Sequence, residues 1–198
     1  MPQTDDCIIN MQDLKKESSC EGSASGIKSL MFALKDDIKT WPKKIPFNNR
    51  QNFAEHVNTT TDNMEMLPGK RFFLFEGKKD SGELKYVEEG ETESKSFRAT
   101  VEIYRSVMSA SLLGFISSTM NAELVLLVKT RRNEWHLIGD EDEGVQHDSA
   151  EITSGKIATD PNGGNIIFYQ SGINSPTVYK GEIDHLLVVA ESGSGSAG

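Results

Sequence analysis

The chain has 198 residues, 36% of them apolar, which is enough for one core and predicts a single domain with loosely attached ends. Its 30 acidic side chains against 21 basic ones leave a formal charge of −9; this excludes a nonspecific grip on nucleic-acid phosphate but leaves room for a surface that DNA slides past by repulsion. Two cysteines, Cys7 and Cys20, are too few for a disulfide framework, and no stretch approaches the roughly twenty apolar residues of a membrane span.

Residues 1 to 26 are polar and end in Ser23-Ala24-Ser25-Gly26, so an N-terminal arm is expected there. With Asp5 and Asp6 near its start, this arm lacks the basic opening of a secretory leader, and a soluble, intracellular protein is expected. Ile27 to Leu34 reads as the first strand. Asp36-Asp37 follows it, and Trp41-Pro42 and Ile45-Pro46 break the regular pattern. The segment 43–68 is loop-like, with Asn48-Asn49 and Thr59-Thr60-Thr61. Its length predicts a functional segment ordered by a partner.

Arg71 to Phe75 and Leu84 to Val87 read as two strands of a hairpin, joined by a turn at Lys78-Lys79-Asp80-Ser81. The acidic group Glu88, Glu89 and Glu91 leads into the strand around which the chain is organised, Ser94 to Arg105. There Phe97, Ala99, Val101 and Ile103 alternate with Arg98, Thr100, Glu102 and Tyr104. Ser106 is placed to cap a helix running to about Met120, with Val107, Met108, Leu112, Phe115 and Ile116 on its apolar face and small residues elsewhere. Asn121 ends it. Leu124 to Val128 is a continuous apolar run, and Glu134 to Ile138 folds back on it through Thr130 to Asn133.

Asp140-Glu141-Asp142-Glu143 forms a concentrated acidic loop, and Val145 to Ile157 alternates weakly. The turn Asp160-Pro161-Asn162-Gly163-Gly164 returns the chain as Ile166 to Tyr169. Val178-Tyr179 and Ile183 to Val189 complete the strands, and residues 191–198 form a Gly/Ser tail. Eight or nine strands with one confident helix predict a mainly β (α+β) domain over residues 27–190, a β-sandwich or barrel with one flanking helix.

Chemistry has little to work with. His56, His136, His147 and His185 are scattered, and His136, between Trp135 and Leu137, is expected to face the surface. No nucleophile elbow, phosphate loop or paired-histidine metal motif occurs, and no enzyme, cofactor or metal site is expected. The acidic loop fits a solvated hairpin tip, an acidic lining or a hard-cation site, although its spacing does not match the twelve-residue calcium loop. Phe72, Phe73 and Phe75 read as core.

Assembly is the stronger expectation. The long segment, the helix with a small-residue side and the unprotected strand margins are devices by which copies join. Phe47, Phe53, Met64 and Met66 of the long segment, with Ser109, Ser111 and Gly114 of the helix, are the candidate contacts between copies. In a ring of copies, any acidic surface turned inward is repeated in every subunit and lines a negative channel.

The strand Ser25 to Leu30 with Asp36-Asp37-Ile38 and Trp41-Pro42, the strand Phe97 to Tyr104 entering a short helix, the return strand Glu123 to Val128 and the Asp160-Pro161-Asn162-Gly163 turn before Ile166-Ile167-Phe168 resemble a bacteriophage major tail tube protein across residues 25 to 190. The tubes of contractile injection systems are similar. The resemblance implies a virion structural protein of the tail, whose copies stack as rings around passing DNA beside other tail proteins. It also implies that 43–68 reaches the next ring, and that Glu88, Glu89, Glu91, Asp140, Glu141, Asp142 and Glu143 are candidates to line the channel. A neck or connector protein, a glycan- or protein-binding β-sandwich and a hydrolase are the alternatives.

Overall fold

A computed structural model describes residues 12–14 and 25–189. Cys7, Cys20, most of the expected arm and the Gly/Ser tail lie outside the described residues. In chain order the strands are β1 (Ile27–Leu34), β2 (Ile38–Thr40), β3 (Glu65–Met66), β4 (Phe73–Phe75), β5 (Gly82–Glu89) and β6 (Ser96–Ser106), followed by the helix α1 (Ala110–Thr119). Then come β7 (Leu124–Thr130), β8 (Trp135–Ile138), β9 (Gln146–Thr153), β10 (Gly163–Ile173) and β11 (Val178–Tyr179). Among the described residues the fold is mainly β with one α-helix, as the alternating runs predict.

A five-stranded sheet, ordered β11-β8-β7-β1-β4, packs against a four-stranded sheet, β5-β6-β10-β9, and both are antiparallel. A side chain on Gly82, the first residue of β5, would touch Ile27 of β1, while Tyr86, four residues on, meets His136 of β8. One strand thus passes over β1, β7 and β8 in turn, so the two sheets cross at a steep angle.

The continuous apolar run of β7 is explained by its place in the middle layer. Leu124, Leu126 and Val128 point into a core between the sheets, with Leu30, Phe75, Ala99, Val101, Ile103, Ile166 and Phe168. Val125 and Leu127 point the opposite way into a second core, with Met31, Ala33, Met64, Phe72, Leu137, Tyr179 and Leu186. A strand apolar on both sides is one buried on both sides. All five of its residues from Leu124 to Val128 have 0% exposure.

The covering of that second core corrects the expectation for 43–68. The segment does not reach outward as a loop awaiting a partner. It carries short 3-10 turns at Phe47–Asn49 and Phe53–His56 and the strand β3, and lies on the back of the five-stranded sheet. Backbone bonds fix it: Thr59 N donates to Val178 O at 2.9 Å, Val178 N to Val57 O at 2.8 Å, and Thr60 N to Lys43 O at 2.7 Å. The Met64 amide donates to the buried Tyr179 hydroxyl at 3.0 Å. Burying Met64 and Met66 repays the ordering of the segment, which its polar composition concealed.

Three smaller expectations also change. Phe73 to Phe75 pairs with β1, not with the strand that follows it, and β5 pairs with β6 instead. Phe72 and Phe75 face different cores, a demand that separates the two strands of the expected hairpin into two sheets, and Phe73 is left partly exposed. The helix is capped by Ser109, whose Oγ accepts from Leu112 N at 3.2 Å, and not by Ser106. Asn162 takes the Val107 amide on its carbonyl oxygen and the Met108 amide on Oδ1, which carries the chain past Ser106 with Val107 at a φ of +71°. Val107 and Met108 therefore leave the apolar face expected of them and lie exposed, while Leu112, Phe115 and Ile116 pack on the first core. Finally, Ile183 to Val189 is no strand: Asp184–Leu187 forms a 3-10 turn that drives Leu186 into the second core, and the Leu186 carbonyl accepts from Phe72 N at 2.8 Å.

Candidate functional site

Two contrasting surfaces lie apart, the first past the end of β8 and the second around the edge strand β4 and the start of α1. The first is acidic and built on Gln170. Along β10 the inward positions run Ile166, Phe168 and then Gln170, a polar side chain only 4% exposed. Its Oε1 accepts from Gly139 N at 2.8 Å, and its Nε2 donates to Asp140 Oδ2 at 2.9 Å and to Glu143 O at 3.2 Å. Asp140 Oδ1 in turn accepts from the amides of Asp142 and Glu143 at 3.0 and 2.8 Å. Lys35 closes the far side, donating to Asp142 O at 2.8 Å and to Glu123 Oε2 at 2.9 Å, and the Glu123 carboxylate holds its ammonium above the ordinary lysine value. The Asp140 carboxylate is thus spent on the loop itself, and Glu141, Asp142 and Glu143 are exposed on a fixed support.

The second acidic group lies close by. Glu88 is opposite Phe97, Phe97 is opposite Ile173, and a side chain at Gly172 would meet Glu143. The β5–β6 connection and the loop at 140–143 therefore share one end of the molecule, a proximity invisible in their spacing. In that connection Glu88 is ion-paired to Lys95 at 2.7 Å, Glu91 is exposed and Glu89 is partly covered. Gly90, at a φ of +97°, turns the chain where any side chain would strike the Ser94 carbonyl.

The second surface is apolar with a cationic border. Phe73, Val107, Met108 and Leu113 are each at least 41% exposed, and Leu74, which alternates to the other face of β4, is 51% exposed. Arg71 stands over the Phe73 ring at 4.6 Å and Arg105 over the Phe75 ring at 5.7 Å. Phe75 and Phe32 both touch Phe115 of α1, at 5.3 and 4.9 Å between ring centres. Beside this patch a groove of about 660 Å³ opens between β1 and the β4–β5 connection. Lys28, Lys78, Lys79 and Arg131 line it with Glu76 and Asp80, and Asp80 is paired to Arg131.

The remaining predicted contacts divide. Met64 and Met66 are buried in the chain's own second core and have no surface to offer another copy, because the segment that carries them folds back on its own sheet. Phe47 and Phe53 are half-buried, with Phe47 edge-on to His56 at 5.8 Å and under Arg50. Ser109 is occupied as the helix cap, whereas Ser111 and Gly114 lie on the exposed side of α1.

The histidines also depart from expectation. His136 does not face solvent; it lies half-buried under β5, 3.3 Å from the Tyr86 hydroxyl, and burial lowers its pKa while raising that of Tyr86. His147 sits between α1 and Phe168, 4.7 Å from that ring. Thr119 donates its hydroxyl to Phe115 O at 2.8 Å, so the 2.8 Å contact between Thr119 Oγ1 and His147 Nε2 is donated by the imidazole. That leaves Nδ1 as a buried nitrogen with no hydrogen-bond partner, and burial depresses the pKa.

Lys44, also depressed by burial, ties the long segment to the β10–β11 connection by donating to Ser175 O and Oγ, both at 2.8 Å. Among the described residues no group of three His, Cys, Asp or Glu side chains could hold a metal ion, and no helix is long and apolar enough to cross a membrane. Sequence reasoning missed Gln170, Lys35 and the cationic groove. For Gln170 a signal existed, a polar residue at an inward position of an alternating strand. The groove joins residues from four separate stretches and left none. No protein-family model matches this chain, and no curated protein or solved structure matches it either.

Proposed function

We propose that this protein is a structural subunit that assembles with copies of itself, of the kind that builds a bacteriophage tail tube. The observation that carries the proposal is the exposed apolar surface around Phe73 of β4 and Val107, Met108 and Leu113 at the start of α1, two pieces of chain that Phe32 ties together by touching Phe73 and Phe115: large apolar side chains left exposed in this way are characteristic of surfaces that a partner covers. The edge strands β5 and β9, eight residues each, support it as ready margins for another chain.

In such an assembly the shared acidic end, with Glu88, Glu89 and Glu91 beside Asp140 to Glu143, recurs in every copy and presents negative charge to DNA that passes without being held. The protein belongs in the virion tail under this proposal, with itself and other tail proteins as partners. Met64 and Met66 of the segment 43–68 have no part in stacking, since both are committed to the second core. Negative-stain microscopy with mass photometry over a concentration series tests it. Rings or tubes are expected, and a strict monomer at the highest concentration would overturn it.

A further inference from the structure

The acidic loop and the cationic groove differ in sign, exposure and position. The groove lies where β1 begins and β7 ends, since Ile27 pairs with Thr130 and Arg131 lines its wall. The loop lies where β7 begins, since Leu124 is bridged to Val145 and Lys35, just past β1, holds Asp142 O. Six residues of extended chain separate the two ends of β7, roughly 20 Å at about 3.4 Å per residue. Neither surface can reach the other within one molecule.

Their charges are complementary. Lys28, Lys78, Lys79 and Arg131 outnumber Glu76 and Asp80 in the groove by four to two, and one of those carboxylates is already matched by Arg131. The loop offers Glu141, Asp142 and Glu143, with its backbone fixed by Gln170 and Lys35, so little conformational freedom is lost on docking. The exposed Leu74 lines the groove together with Phe75, so an occupant seated there also covers apolar surface.

We propose that the loop at 140–143 of one copy seats in the cationic groove of the next. This rests on the self-assembly proposed above and specifies which surfaces meet. Because the two surfaces are different patches at opposite ends, the contact is head-to-tail: it leaves one loop and one groove unfilled in any pair, and propagates until a ring closes or a filament forms. It also divides the acidic end. Glu141, Asp142 and Glu143 are neutralised between copies, and only the β5–β6 connection, with Glu88, Glu89 and Glu91, remains to face a channel.

The test uses two charge-reversed forms of the full chain and their mixture. One carries Lys78→Glu and Lys79→Glu; the other carries Glu141→Lys, Asp142→Lys and Glu143→Lys. All five side chains are exposed, so both forms should melt as the parent does. Each alone should associate at least about tenfold more weakly than the parent by sedimentation or mass photometry, because like charges then meet in the contact. An equimolar mixture should recover, since each form now presents the sign that the other lacks. If the parent assembles but either form associates as well as the parent, or the mixture stays apart, the pairing is overturned while self-assembly stands. A parent that never associates overturns both.

Discussion

The two sides of the five-stranded sheet are covered in different ways. In front lies a regular sheet whose β5–β6 register runs unbroken from Gly82 opposite Ile103 to Glu89 opposite Ser96. Behind lie 3-10 turns, the two-residue strand β3 and single side chains inserted one at a time, Met64, Phe72 and Leu186. Both sides reach full burial. The front does so by periodic strands that support one another through backbone ladders, and the back by isolated plugs, each held by a few bonds such as Phe72 N to Leu186 O. The contrast predicts that the front unfolds only with the whole molecule, whereas the back can open by itself.

The largest effect should come from the front. Phe168→Ala removes a ring 1% exposed, and should cost about 3 to 5 kcal/mol with loss of both layers together in denaturant. A back layer that melted first in this variant would invert the comparison. Met64→Ala, at about 2 to 5 kcal/mol, should instead speed hydrogen exchange around residues 57–66 and 178–186 while β6 and β10 stay protected. Uniform acceleration across the chain would show the two layers to be one cooperative unit.

Acid gives a graded version of the same contrast, aimed at the front. His136 and His147 are both held below the ordinary value of 6.5, so below that pH the unfolded chain binds protons that the native chain refuses. Stability should be full above about pH 6.5 and fall as the pH drops, by at most about 1.4 kcal/mol per pH unit for each histidine. His147→Gln should flatten the part of that slope due to His147, and an unchanged slope would remove this histidine from the account. The smallest effect is expected from Ser109→Ala, about 1 kcal/mol, which loosens the helix that bears Phe115 and Thr119 and is measured as a shift in the denaturant midpoint.

The front layer was also the legible one. β1 spans the predicted Ile27 to Leu34, Ala99, Val101 and Ile103 of the alternating strand do point into the core, and Asp160 to Asn162 of the predicted turn lie in the connection from β9 to β10, although Gly163 and Gly164 already pair in the ladder. The strands repeat at period two, and a repeated signal survives the noise of single residues. The back layer repeats nothing. Leu186 is buried by one 3-10 turn, Met64 by the reach of one tyrosine hydroxyl, and neither needs neighbours in sequence that announce it. The choice between Ser106 and Ser109 as the cap was likewise settled from a distance, by Asn162. At the candidate surfaces, composition gave the two acidic groups but not their proximity, which depends on pairing Glu88 through Phe97 to Ile173.

The run Leu124 to Val128 carries a liability. It is five consecutive apolar residues with high strand propensity and no charge, the kind of segment that stacks on its own kind when uncovered. The plugs behind it therefore act as a sheath. Should they detach before the rest of the molecule loosens, copies would stick through bare β7 in disordered clumps, and ordered growth would compete with precipitation for the same protein.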